Sequence, residues 1–360
     1  MKTNAIVVFT LAASALMMSA QQQPRVSNTQ FHSTPLSMGL SATVDRFRQS
    51  HGPLWLGYAV QALPRTHFSA CSSWSQSSDV DDGCCGEIWL EDSADHMNTS
   101  TQADLPAPMV SVLMRLDQGE VVKIRTAPVG CALNAGGVAF EWLTGVGAED
   151  SAAFLGKLAA SGAALRDSGD ARGRLLEESL AALSMHATPK ATEVLASLAT
   201  ENNTRLREKA AFWLGAQRGH DGLLALRRLM QTEQDSKLRE KLAFDLSINS
   251  DPDAIGDLIQ LAKTDSDSRV RSQALFWLAQ KAGKKAVGTL HEAIENDPDF
   301  QVKKKAVFAL SQLPKDESIP QLVHVADTNS NFAIRKEAIF WLGQSNDPRA
   351  LAYIEQVLKR

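Results

Sequence analysis

The segment RLREKAAFWLG at residues 205–215 decides the reading of this chain, because it comes back. KLREKLAFDLS begins at Lys237, RVRSQALFWLA at Arg269, QVKKKAVFALS at Gln301 and AIRKEAIFWLG at Ala333, each start 32 residues after the last. A weaker copy, RLLEESLAALS, begins at Arg174, 31 residues before the first. Inside each copy the apolar residues recur at helical spacing; Leu206, Ala210 and Leu214 fall on one stripe at ~100° per residue. After a short break a second apolar pattern follows. Its columns are Leu223, Ile255, Val287, Ile319 and Leu351, then Leu226, Leu258, Leu290, Leu322 and Ile354. Turn residues such as Asp251-Pro252, Gly283 and Asp347-Pro348 occupy the breaks. Two short helices cannot bury their faces alone, but stacked pairs can. The spacing therefore predicts an α-solenoid of about six units over residues 172–360.

The columns within the repeat carry a resemblance. An acidic or Asn residue (Asn203, Asp235, Asp267, Asp299, Asn331) precedes the motif apolar-Arg-x-x-Ala-x-x-x-Leu. The apolar place is held by Leu206, Leu238, Val270, Val302 and Ile334, and the basic place by Arg207, Arg239, Arg271, Lys303 and Arg335. This pattern resembles the short bacterial form of the HEAT repeat, over about half of the chain. The whole layout resembles secreted bacterial HEAT-repeat proteins of unassigned function. The resemblance implies a scaffold that binds proteins.

Two columns deserve roles of their own. The acidic and basic columns lie four residues apart, so Asp235 with Arg239, Asp267 with Arg271, and Asp299 with Lys303 are expected to span helix starts and build a structural ladder between units. An anion-binding stripe is the functional alternative. The second column is Phe212, Phe244, Phe276, Phe308 and Phe340, well away from the buried stripe, with Trp213, Asp245, Trp277, Ala309 and Trp341 beside it. Either each Phe packs sideways between units, or the column lines the concave face. In the second case it forms a partner-binding strip beside Lys209, Lys241 and Lys305, suited to an extended peptide or protein segment.

The first half of the chain reads differently. Lys2, an apolar run from Ala5 to Met18, and Ser19-Ala20 before polar residues read as a signal peptide over residues 1–20. Export to the periplasm or outside the cell is the expectation, with no stable membrane insertion after cleavage. Residues 21–51, rich in Gln, Ser, Thr and Pro, read as a flexible leader. Residues 52–147 have strand character, in 54–60, in 87–90, and in a hairpin alternating at Val110, Val112, Met114 and Leu116 with a turn at 117–120. All four cysteines, Cys71, Cys84, Cys85 and Cys131, fall here. In an oxidising compartment they are disulfide candidates; of the three possible pairings the one joining the neighbours Cys84 and Cys85 would force a strained turn, so these two are expected to pair with Cys71 and Cys131, in either order. Residues 149–171 read as an entry helix and linker. The expected class is thus α+β and multidomain: a small β-rich, disulfide-stapled N-terminal domain, then an all-α solenoid.

Composition limits the function. There are 37 basic and 41 acidic residues, for a net charge of −4. Neither half has the basic excess that phosphate binding needs, so nucleic acid is not an expected partner. His67 with Cys71, Cys84 and Cys85 does not match a common zinc spacing. Asp79, Asp81 and Asp82 before Gly83 lack the alternation of an EF-hand. No nucleophile elbow, H-E-x-x-H or supported carboxylate pair occurs, and no cofactor is expected. The leading expectation is an exported, non-enzymatic protein-interaction scaffold that can also self-associate. The alternative is an enzyme or metal-dependent module in residues 52–147, with the repeats recruiting substrate. Short HEAT repeats also occur in phycobilin lyases, but the export signal argues against chromophore handling.

Overall fold

A computed structural model describes residues 23–50, 52–64, 87–92, 109–164 and 171–359. The expected signal peptide, Cys71, Cys84, Cys85, His67 and the acidic turn at 79–83 lie outside these residues.

The N-terminal region is α/β, with two sheets. Its strands are β1 (Arg25–Ser27), β2 (Phe31–Pro35), β3 (Leu54–Gln61), β4 (Ile88–Trp89), β5 (Met109–Asp117), β6 (Glu120–Pro128), β7 (Ala132–Asn134) and β8 (Ala139–Thr144). The larger sheet has the order β2-β8-β3-β5-β6, and the smaller β1-β7-β4. The central strand β3 reads LWLGYAVQ and is buried along most of its length, so its near-continuous apolar run marks a strand covered on both faces. At Gly57 a Cβ would sit 2.9 Å from the Trp142 ring and 3.0 Å from Leu113 and Phe140, so large side chains close over the backbone there. The β5–β6 hairpin turns through Gln118 and Gly119 at φ 49° and 80°. Positive φ at both turn positions matches the strand twist.

Residues 21–51 correct the expectation of a flexible leader. They contain β1, β2 and the helix α1 (Leu40–Arg48). β2 runs parallel to β8, from Phe31 opposite Phe140 to Pro35 opposite Thr144. Leu40 and Val44 are fully buried, and the Leu40 amide donates to Asp150 at 2.6 Å. An edge strand exposes most of its side chains, so a Ser/Thr-rich composition does not preclude one. The sheet also mixes parallel and antiparallel pairs. Cys131 is fully buried and not a free thiol.

Thirteen described helices follow. After α2 (Ala148–Ala164) come six hairpins: α3 (Ala171–Ser184) with α4 (Pro189–Leu198), α5 (Thr204–Gln217) with α6 (Gly219–Thr232), α7 (Ser236–Ile248) with α8 (Ala254–Thr264), α9 (Ser268–Ala282) with α10 (Val287–Asn296), α11 (Phe300–Ser311) with α12 (Lys315–Thr328), and α13 (Phe332–Gln344) with α14 (Pro348–Leu358). From α5 onward, the odd-numbered helices pack closely on one another, whereas the even-numbered ones barely touch. Tighter packing in one layer bends the stack towards it, so the odd helices form the inner face.

Sheet and solenoid share one continuous core. Beyond β3 the chain pairs with the α3–α4 turn, through Leu63 N to Met185 O at 2.8 Å and Ala187 N to Gln61 O at 2.9 Å. Beneath this seam lies a fully buried polar chain. Tyr58 Oη and Ser151 Oγ are 2.8 Å apart, Ser151 Oγ and His186 Nε2 2.7 Å, and His186 Nδ1 and Ala182 O 2.8 Å. A carbonyl only accepts, so Nδ1 carries the proton, Nε2 accepts from Ser151, and Tyr58 donates to Ser151. Burial pushes the His186 pKa down to about 4, and burial also raises that of Tyr58. Arg218, itself buried, holds the same turn through the carbonyls of Ser184, His186 and Thr188.

Candidate functional site

The basic column of the repeats does not pair with the acidic column four residues before it. Asp235, Asp267 and Asp299 turn back to cap their helices, accepting from Lys237, Arg269 and Gln301 amides at 2.9, 2.8 and 2.7 Å. Asn203 and Asn331 cap in the same way. Each cap is worth about 1 kcal/mol. The arginines reach instead to an acidic residue 26 positions on, in the loop that opens the next hairpin. Arg239 holds Asp265 at 2.8 and 3.0 Å, Arg271 holds Asp297 at 2.8 Å twice, and Arg207 holds Glu233. The same carboxylates accept the cap residue's own amide, as in Asp267 N to Asp265 at 2.8 Å. Lys303 departs from the pattern and donates to Glu295 O at 2.6 Å. The contacts join neighbouring units, and the arginines are committed to them. The column Glu233, Asp265, Asp297 and Asn329 went unread in the sequence, although it too repeats every 32 residues.

This arrangement predicts a contrast. Arg271 and Asp297 side chains are only 9% and 6% exposed. Arg271→Ala strands a buried carboxylate and should cost about 3 kcal/mol. Arg335 has no carboxylate partner among the described residues and meets the Asn329 and Ser330 carbonyls and the Phe332 ring, so Arg335→Ala should cost about 1 kcal/mol. Urea unfolding of the two variants measures the difference.

The Phe column forms a continuous aromatic ladder along the inner helices. Eight rings follow one another in the order Trp213, Phe212, Phe244, Trp277, Phe276, Phe308, Trp341, Phe340. Successive centroids are 5.1, 6.3, 4.8, 4.9, 5.9, 4.9 and 5.0 Å apart. Phe212 with Phe244 and Phe276 with Phe308 are stacked, at 14° and 6°. Such pairs add about 1 kcal/mol each beyond area burial. The rings thus pack between units, yet Phe212, Phe244, Phe276 and Phe308 stay half-buried and Phe340 is 52% exposed. Lys305 lies 5.4 Å from the Phe308 centroid. Lys209 reaches Glu177 at 3.1 Å, and Lys241 pairs with Glu208 of the preceding unit.

Two units lack the Trp, one with Ala309 and one with an acid. Asp245 stands where three other units have Trp, and it is 3% exposed. Its Oδ2 has no hydrogen-bond partner among the described residues. Burial pushes its pKa up to about 8, which nearby Lys241 only partly offsets. At pH 7 the neutral acid predominates.

A cavity of about 260 Å³ lies where β6 meets α3. Apolar Ile88, Leu113, Ile124, Ala127 and Ala181 line it, together with Lys123, Arg125, Thr126 and Glu178. Lys123 donates to the carbonyls of Leu90 and Asp92 at 3.0 and 2.6 Å, and Arg125 shares both acceptors. Glu178 accepts the Ile124 amide at 2.7 Å, capping the outer edge of β6. Burial lowers the pKa of Lys123 and Arg125 and raises that of Glu178. The alternation of charge along β6 was the only signal for Lys123 and Arg125, and nothing local pointed to Glu178 on α3. Among the described residues no cluster of His, Cys, Asp or Glu could hold a metal, and no helix is long and apolar enough to cross a membrane.

Residues 255–332 and 287–360 match the family model for HEAT repeats. No curated protein matches the chain. Among solved structures it is similar to human deoxyhypusine hydroxylase in complex with glycerol, at 19% identity and TM-score 0.31, over 58% of this chain and 90% of that one. It is also similar to the complex of CpcE and CpcF of phycocyanin lyase from Nostoc, at 23% identity and TM-score 0.31, over 42% and 97%. An engineered protein matches at 19% identity and TM-score 0.29, over 59% and 93%.

Proposed function

We propose that this chain, whose C-terminal repeats are HEAT repeats, is an exported protein-interaction scaffold that catalyses no reaction itself. The half-exposed aromatic ladder on the inner face carries this reading. It is a rigid, regularly spaced apolar surface, and aromatic anchors dominate the energy of protein interfaces. The inter-unit arginines and the shared core keep its geometry fixed, so binding costs little ordering. The apolar run before Ser19-Ala20 supports export, and the absence of a free thiol at Cys131 fits an oxidising compartment.

Face-specific photocrosslinking in the native host tests the scaffold reading. A photoreactive residue at Lys241 or Lys305, on the inner face, should give a discrete protein adduct. The same residue at Arg228 or Glu292, on the outer helices, should not. Equal adducts from both faces, or none from the inner one, would reject the reading.

One observation favours a second reading, a small-ligand module in the N-terminal region. The β6–α3 cavity combines apolar walls with three displaced ionisable groups, the usual character of a binding pocket. A compound that raises the melting temperature of the wild type but not of Glu178→Gln would support it.

A further inference from the structure

The aromatic ladder is flanked by charge of one prevailing sign. On each inner helix from α5 to α13, the positions seven, four and three before the Phe lie on the same face as the ring. Over the five helices those positions hold eight basic and three acidic residues, in a chain of net charge −4. Arg205 and Lys209 pair with Glu177, Lys241 with Glu208, Arg269 with Asp267 and Lys304 with Glu337, whereas Lys237, Lys305 and Lys336 are exposed and have no carboxylate partner among the described residues. Five helices at 8–10 Å spacing span roughly 32–40 Å. That matches about 10–12 residues of extended chain at ~3.3 Å each.

Spacing and charge narrow the occupant. Phe212 with Phe244 and Phe276 with Phe308 pack on one another at 6.3 and 5.9 Å, which leaves less open ring face for stacked bases than isolated rings would. Glu208, Glu240 and Glu337 interrupt the basic run and would repel evenly spaced phosphates.

We propose that the inner face binds an acidic, extended protein segment of about 12 residues, whose carboxylates meet Lys237, Lys305 and Lys336 while its apolar side chains lie against the rings. The proposal rests on the scaffold reading and specifies its partner.

The test uses the full chain and four fluorescent probes of matched length. One is a 12-residue peptide alternating Asp or Glu with Leu or Phe. The second replaces its acids with Lys, the third replaces them with Ser, and the fourth is oligothymidylate. The acidic peptide should bind at least tenfold more tightly than any other probe and weaken several-fold as salt rises. Lys305→Glu with Lys336→Glu, at unchanged melting temperature, should weaken it at least tenfold. Tighter or equal binding by the Ser, Lys or nucleotide probe overturns the acidic assignment, as does no binding of the acidic peptide at millimolar concentration. The crosslinking comparison judges the scaffold reading separately, so either idea can fail alone.

Discussion

Asp245→Asn should stabilise the protein by about 2–4 kcal/mol at pH 7. The carboxyl is buried with one oxygen unpartnered, and its pKa stands at about 8 against 3.8 for the free group. A group whose folded pKa is raised contributes its full stability below the unfolded value and loses it as pH rises towards the folded one. The Asp245 contribution should therefore fall between about pH 4 and pH 8, and Asn should remove it, so the stability gap between the two proteins should widen over that range. Urea midpoints for both proteins across this range measure it. An unchanged gap would show that Asp245 is ionised in the folded state.

His186 should act in the opposite direction. Its folded pKa of about 4 lies below the ordinary 6.5, because burial disfavours the charged ring. The unfolded chain then binds more protons between these values. Stability should be complete above pH 6.5 and fall by about 3 kcal/mol as pH drops to 4. His186→Gln should abolish this fall. Ser151→Ala should instead cost about 2–4 kcal/mol at pH 7, since it leaves the buried Tyr58 hydroxyl and His186 Nε2 without partners. Between pH 4 and 6.5 the two slopes oppose each other. Asp245→Asn should therefore expose an acid sensitivity that the wild type hides, and His186→Gln a sensitivity to rising pH.

The helical half was legible because its signal repeats. Leu206, Ala210 and Leu214 are buried, and so are their counterparts in later units. The β5–β6 hairpin was legible too, since alternation and a Gly-containing turn are local. The strand β2 was not, because its pairing with β8 spans over 100 residues and its side chains are mostly outward. The ladder partners were misread for a related reason. A cap Asp and an Arg four residues on look like a pair, but the cap's oxygen is already committed to a backbone amide. The Arg then finds the next loop. Lys123, Arg125 and Glu178 converge only when β6 meets α3, which no local spacing records. The Phe column was legible as a column. Its stacking across units needed the relative position of successive helices.

The most direct test of the central claim separates the ladder's two roles. Leu at positions 276 and 308 keeps apolar bulk but removes the stacked pair, so Phe276→Leu with Phe308→Leu should still fold, at a cost of about 2 kcal/mol. With the photoreactive residue at Lys241, recovery of the crosslinked partner should drop at least tenfold in this folded variant. Undiminished recovery would mean that the rings only hold the units together, and would contradict the account.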